Sequence, residues 1–340
     1  MRSKLMSVLL AGAALLLPAV AADAAEINLM SWGGHYLDTF RPVADAFEKE
    51  TGHKVNIVVM SGAKDGLTKI TAQKNDPQVD VWLSIESTAQ AAADAGLLAD
   101  LKPELLPNAK ALPKEMVTKN SVTLSLSPRG IAYRKDLVPF AIKDWKDLWD
   151  PRLKGKVGMS FVIDTGSPLI MAALLDGGSE KNIEPGFARM KALKPNFAGF
   201  FKTDSESVKY LESGEFAVIG YAILANFYLK LAPDSNIKFV MPDNPKFLPP
   251  IPAAIVKGRG AEREKAAHEL VNFMLSPKQQ EFITGRFGQV PANPNAKLPA
   301  ALNDVIPSLP LQHVYSIDWD TVNKNYADWN TRWNKEIQTN

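Results

Sequence analysis

The residues of this 340-residue chain that could do chemistry are of the kinds that hold a ligand rather than cleave one. Trp32 and Gly33 stand at the end of a first apolar run, Ser61 and Gly62 after a second, and Ser84 and Glu86 after a third. Further along, Thr165-Gly166-Ser167 opens a helix-like stretch, and Tyr221 follows another short apolar run. In open α/β sheets ligands gather beyond the carboxyl ends of strands, so these positions are expected to face one cleft. A tryptophan there supplies a flat apolar wall or a face for a cation. Glycine lets a ligand approach the backbone, and hydroxyls beside helix starts suit an anion.

Each candidate also has a plainer role. Trp32 and Tyr221 could be core aromatics, but a Trp before Gly33-Gly34 at a strand end reads better as a cleft residue. Ser84, Thr165 and Ser167 could simply cap helices, and for Ser167 capping is the better reading. Glu86 is either an amine partner or a solvated carboxylate at a helix start, and the second is favoured. Arg129 is the most informative charge, lying in Ser127-Pro128-Arg129-Gly130. A guanidinium there can grip a carboxylate or phosphate with two parallel hydrogen bonds, or it can form an internal salt bridge.

Catalytic patterns are missing from the sequence. Its four histidines, His35, His53, His268 and His313, form no H-E-x-x-H, because His268-Glu269 continues as Leu270-Val271-Asn272. There is no G-x-S-x-G, no phosphate-binding loop and no EF-hand loop. With no cysteine there are no disulfides, thiolate metal sites or cysteine nucleophiles. No metal or cofactor is expected. An extracytoplasmic hydrolase is the rival class, and only His35, near the expected cleft, would be worth testing for it.

The elements that must position these residues read as two α/β units. Ile27–Ser31, Val55–Met60 and Val79–Ser84 are expected strands. A helix with Phe40, Val43, Ala44 and Phe47 on one face follows the first, a second helix spans about 65–74, and a third runs to Gly96. This β-α-β-α-β order predicts a parallel sheet with helices on both faces. A second unit is expected from strands at 156–161 and 216–220 and helices at 205–212 and 222–231. Ser167-Pro168 reads as a cap with proline at the first helical position. After Pro249, Pro250 and Pro252, Ala253–Val256 reads as a further strand, and Ser276-Pro277-Lys278-Gln279 as a capping box. Trp319, Trp329 and Trp333 belong to a last helix, expected to clamp onto a lobe as ordinary aromatic burial.

Residues 1–25 read as a secretory signal peptide: Arg2 and Lys4, an apolar run from Leu5 to Val20, then Ala22-Asp23-Ala24. That run is too short to span a bilayer. Cleavage is expected just before Ala25 or Glu26, and without a cysteine no lipid anchor follows. The chain carries 39 Lys and Arg against 37 Asp and Glu, so no large field for nucleic acid or a membrane surface is implied. A soluble monomer in the periplasm, with no stable membrane insertion, is expected.

Four stretches resemble a known family: Leu29–Gly34; Asp144-Trp145-Lys146-Asp147-Leu148-Trp149-Asp150-Pro151-Arg152-Leu153-Lys154-Gly155-Lys156-Val157; Ile251–Gly258; and Leu275–Gln280 followed by Val290–Pro294. Together and in this order they resemble the ABC-importer solute-binding proteins grouped with polyamine and ferric-iron binders. The resemblance implies an α/β, two-lobe type II periplasmic-binding-protein fold, each lobe a mainly parallel sheet flanked by helices, with a ligand cleft between. It implies a first lobe of residues 26–130 and 250–340 and a second of 131–249, closing on a small-molecule ligand like a hinge. The partner implied is the membrane permease of an ABC importer, and no enzyme activity is implied. Ferric binders of the family use adjacent tyrosines where this chain has only Tyr221, with Tyr228 seven residues on. Polyamine binders use an acid at the return strand, where this chain reads Pro250-Ile251-Pro252-Ala253. With Arg129 present, a small organic anion or zwitterion is the preferred ligand class, ahead of a polyamine or other cationic amine and of ferric iron. The binding residues expected are therefore Trp32, Gly33, Ser61, Ser84, Glu86, Arg129, Thr165, Gly166 and Tyr221.

Overall fold

A computed structural model describes residues 24–162, 165–298, 300–303, 305–306 and 314–339. The expected signal peptide lies outside these residues, apart from its last two positions. The first half of the described chain alternates as the apolar runs predict: β1 (Glu26–Trp32), α1 (His35–Thr51), β2 (Lys54–Met60), α2 (Ala63–Ala72), β3 (Val81–Leu83) and α3 (Glu86–Asp94). In α1 the buried residues Phe40, Val43, Ala44 and Phe47 fall three and four apart, so one stripe faces the sheet. Gly52 ends it at φ 80°, a left-handed conformation open to glycine at little cost.

The chain continues through β4 (Ser121–Leu126), β5 (Arg129–Arg134), β6 (Val157–Met159), α4 (Ser167–Leu174), α5 (Glu184–Leu193), β7 (Phe197–Phe200), α6 (Asp204–Ser213), β8 (Val218–Ile223), α7 (Leu224–Phe227) and β9 (Ile237–Val240). It closes with β10 (Pro250–Ile255), α8 (Ala261–Met274), α9 (Pro277–Phe287), β11 (Val290–Pro291) and α10 (Trp319–Trp333). A first sheet has the order β11-β4-β10-β3-β1-β2, and a second the order β7-β6-β8-β5-β9. Both are mixed. β1 runs parallel to β2 and β3, whereas β10 is antiparallel to β3 and β4. β6 runs parallel to β7 and β8, whereas β5 is antiparallel to β8 and β9.

Two stretches carry the chain from one sheet to the other: Ser127-Pro128, and residues 241–249 between β9 and β10. They are tied together, Ser127 donating its N–H to the Pro249 carbonyl and Arg129 donating to that of Phe247, each at 2.9 Å. β5 begins at Arg129, so the passage to the second sheet comes before residue 130, the expected end of the first lobe.

The C-terminal segment, expected with the first lobe, packs its apolar side chains beside residues of the second sheet. Val322, Trp329, Trp333 and Ile337 are buried in one cluster with Phe161, Leu169 and Phe187 of the second unit. Leu302 and Ile306 join Phe216, Leu224 and Phe227 in another. Helical spacing of tryptophans shows that a face is buried, but it carries no information about which sheet buries it.

Two caps also differ. The cap of α4 is Gly166, with Ser167 and Pro168 inside the helix, and Ser276 makes no side-chain cap bond. The Ser276 hydroxyl donates instead to the Phe273 carbonyl of the preceding helix, since α8 and α9 follow each other almost without a break. The expected helix at 222–231 is shorter, because β8 runs on to Ile223.

The C-terminal packing gives a test. Trp333 is fully buried, and its indole N–H has no hydrogen-bond partner among the described residues. Trp333→Ala should therefore lower stability by about 3–5 kcal/mol, the usual range for emptying an aromatic core site. Trp333→Phe should cost far less, because no hydrogen bond is lost with the indole. Urea unfolding of both variants checks this; equal, small losses would mean that α10 does not seal the second core.

Candidate functional site

β1, β2 and β3 point the same way, with Trp32 opposite Met60 and Met30 opposite Trp82 in register. Their carboxyl ends therefore bring Trp32, Ser61 and Ser84 to one edge of the first sheet. Trp32 is half-buried, and its ring lies 4.8 Å from that of Tyr36. Tyr36 in turn packs 4.2 Å from Phe287. At Gly33 any side chain would press on Val59, since a Cβ would stand 3.0 Å from its nearest methyl. Ser61 is exposed, and its N–H donates to Asp65 at the start of α2.

Two of the expected first-sheet contacts are engaged within the protein. Ser84 is fully buried, its hydroxyl 2.8 Å from that of Thr88 and 3.1 Å from the Ile85 carbonyl. That bonding turns the group inward, although it is no helix cap, since the cap position of α3 is Ile85 and carries no side-chain cap bond. Glu86 is half-buried, and its carboxylate accepts the Trp319 indole N–H at 2.6 Å. Burial raises its pKa, and the Trp319 bond offsets only part of the rise.

Arg129 sits at the seam between the sheets, only 4% exposed. Its Nη1 donates to both the carbonyl and the hydroxyl of Ser127, at 2.9 and 2.7 Å. A polar chain from the first sheet runs nearby: Ser125 donates to Gln289 at 2.7 Å, and Gln289 donates to the Tyr36 hydroxyl at 3.2 Å. Burial pushes the Tyr36 pKa up to about 12; the Gln289 bond and the Arg129 charge work against this rise, and the Asp204 charge adds to it. Arg129 and Asp204, one of each sign, thus both act on the same tyrosine.

On the second sheet, Thr165 has φ 51°, a left-handed conformation that costs a β-branched residue energy. Gly166, at φ 84°, follows it and donates its N–H to the Phe161 carbonyl at 2.9 Å. This tight turn delivers the chain to α4. Tyr221 lies within β8 rather than after a strand. It is buried, stacked 5.6 Å from Trp145 and edge-on to Phe247. Tyr221 also lines a small cavity with Ser160, Asp204, Ser207 and Asn226. Asp204 reaches as well into an open groove that His35 of the first unit helps to line.

Tyr36, Gln289, Ser160 and Asp204 escape the sequence reading. Tyr36 and Asp204 each sit in the first turn of a helix, where an aromatic at core spacing and an acid beside the dipole have ordinary explanations. Of the histidines, His35 donates from Nε2 to the Arg286 carbonyl at 2.7 Å. His53 accepts the Ala25 N–H on Nδ1 and meets Glu269 through Nε2. His268 accepts the Lys102 N–H on Nε2 and donates from Nδ1 to the Glu264 carbonyl, and burial lowers its pKa. His313 lies outside the described residues. Among the described residues no group of His, Cys, Asp and Glu is arranged to hold a metal ion.

Comparison with known proteins agrees with this geometry. Residues 43–306 match the family model described as bacterial extracellular solute-binding protein. The spermidine/putrescine-binding periplasmic protein 1 of Haemophilus influenzae is 26% identical over 295 residues, 82% of this chain and 78% of that protein. A Salmonella typhimurium protein assigned by name to periplasmic 2-aminoethylphosphonate binding is 25% identical over 310 residues, 87% of this chain and 86% of that protein. Among solved structures, the spermidine/putrescine substrate-binding protein of Streptococcus pneumoniae superposes with a TM-score of 0.78 at 19% identity, covering 92% of this chain and 100% of that one. At that identity the likeness speaks for the fold. These relatives and fold neighbours are transport substrate-binding proteins, not enzymes.

The raised Glu86 carboxyl predicts a pH effect. An acid with a raised folded-state pKa binds more protons folded than unfolded, so its ionisation weakens the fold as pH rises through the folded value. Glu86→Gln keeps an acceptor for Trp319 and removes that ionisation. The variant should melt higher than wild type at pH 7, and the gap should close as pH falls towards the ordinary glutamate value. Melting curves from pH 7 to 4.5 check the sign; a gap that widens on acidification would contradict it.

Proposed function

Because this chain belongs to the bacterial extracellular solute-binding proteins, we propose that it captures a small organic anion or zwitterion between two lobes and passes it to the membrane permease of an ABC importer. The observation that carries the ligand class is Arg129, a buried guanidinium at the seam between the sheets, with Asp204 of opposite sign acting on the same Tyr36 hydroxyl. A ligand bearing an anionic head would meet the first, and an amine would meet the second. Trp32 and Tyr36 would form the apolar wall beside them. The periplasmic relatives support a periplasmic site of action, after removal of a signal peptide near Ala24 and Ala25. No helix among the described residues is long and apolar enough to cross a membrane. We assign residues 26–128 and 250–297 to one lobe, and 129–249 with the C-terminal segment 314–339 to the other, working as a monomer.

The relatives named for polyamines support a second reading. In it Asp204 and the Trp32 wall would hold an ammonium. Arg129 argues against it, because a buried cation at the same seam repels a second one.

Thermal-shift screening against amines, carboxylates, phosphonates and metal ions separates the readings, since a molecule that binds only the folded state raises the melting temperature. For a carboxylate or phosphonate that binds, Arg129→Ala should weaken affinity by about 2–5 kcal/mol, the range for truncating one partner of a buried charge pair. Arg129→Lys should recover only part, because an ammonium lacks the planar fork. Calorimetry with melting curves alongside reads both; near wild-type affinity in Arg129→Ala would end the anion reading.

A further inference from the structure

Besides the seam, a second set of contacts joins the two units, and it comes from α10. This helix is anchored in the second core: Tyr326 stacks 5.5 Å from Phe161, Trp333 lies 5.1 Å from the same ring, and Arg332 pairs with Glu184 at 2.6 Å. The segment before it is pinned as well. Tyr315 donates its N–H to the Lys246 carbonyl, on the second crossing, and its hydroxyl to Glu180, which also accepts the Asp318 N–H.

From this anchored helix two side chains reach the other unit. Trp319 donates its indole N–H to Glu86, the first residue of α3, at 2.6 Å. The ring of Tyr326 lies 4.3 Å below the Lys64 ammonium, at the second residue of α2. Trp319 and Tyr326 are seven residues apart, about two helical turns, so they share one face of α10. Glu86 and Lys64 stand where α3 and α2 leave the carboxyl ends of β3 and β2, which is the edge that carries the candidate site.

We propose that α10 is an interlobe latch, in which Trp319 on Glu86 and Tyr326 under Lys64 hold the lobes together at the site edge and set the fraction of molecules that are closed. This rests on the hinge-closure reading above. Any opening of the lobes must separate a helix packed on one unit from two helix starts on the other. The indole–carboxylate bond and the cation over the ring are directional contacts, so they are lost within a small displacement. Ligand affinity then depends on the latch without the ligand touching it, because binding is weakened by whatever fraction of molecules stays open.

The absence of cysteine makes the test direct. Lys49→Cys on α1 and Ala188→Cys on α5, both exposed positions, allow spin labels to report the distance between lobes in the ligand-free protein. Trp319→Phe with Lys64→Met removes both polar contacts while keeping ring and stem. The short-distance population should fall severalfold in this variant. Arg332→Met, which loosens α10 only from its own unit, serves as control: it should lower the melting temperature and leave the distance alone. An unmoved distance in the latch variant, or equal lengthening in the control, overturns the latch. The two readings fail separately. A solute screen without a hit, with lobes that open on latch removal, would sink the carrier reading and leave the latch standing. A screen hit with the distance unmoved by latch removal would do the reverse.

Discussion

Two backbone hydrogen bonds, from Ser127 to the Pro249 carbonyl and from Arg129 to that of Phe247, decide how everything else in this molecule can be arranged. They turn two separate crossings into a narrow two-strand ribbon between the sheets. On either side, apolar side chains close cores of their own. Leu29, Phe40 and Leu270 belong to one, and Trp145, Leu169 and Phe187 to another. A third cluster crosses between them, with Val290 of the first sheet buried beside Phe216, Leu224 and Phe227 of the second unit, so the seam carries apolar as well as polar contacts. Pro128, Pro249 and Pro250 fix φ on the ribbon, so few backbone angles are left to absorb motion.

The same ribbon explains why Arg129 differs from the other arginines. Its backbone N–H belongs to the tie, and its Nη1 donates back to Ser127 on the crossing. Arg259 and Arg263 offer the contrast. Both grip Asp80, which is almost fully buried and also accepts the Asn28 N–H at 2.7 Å. That cluster lies within one unit, joining β3 to the segment around α8, and reads as structure. Residue type does not separate the two cases; position relative to the seam does.

The candidate positions divide by the same logic. Trp32 packs on Tyr36 of the Tyr36–Gln289–Ser125 chain, while Arg129, Tyr221 and Asp204 belong to the second unit. The Ser84 hydroxyl meets that of Thr88, and the Glu86 carboxylate accepts from the C-terminal helix. A hydroxyl or carboxylate at a strand end has the right address for a ligand, but neighbouring donors claim it first wherever the chain supplies them. Asp204 was hidden for the converse reason. An acid one residue after a capping threonine is what any helix start favours, so its place at the cavity left no separate mark in the sequence.

Local pattern determined a good deal by itself: the β-α-β-α-β opening, the helix face of Phe40, Val43 and Phe47, the crossing near Pro128, and the family likeness in four ordered stretches. Such features depend on spacing and on turn chemistry, which act over a few residues. Tertiary structure alone decided which unit receives α10, that Gly166 rather than Ser167 caps α4, that Trp319 takes the Glu86 carboxylate, and that Tyr36, Arg129 and Asp204 share one electrostatic neighbourhood. These depend on contacts between residues far apart in the chain. A buried face, a donor and an acceptor are each visible in sequence, but the choice among partners is made by packing.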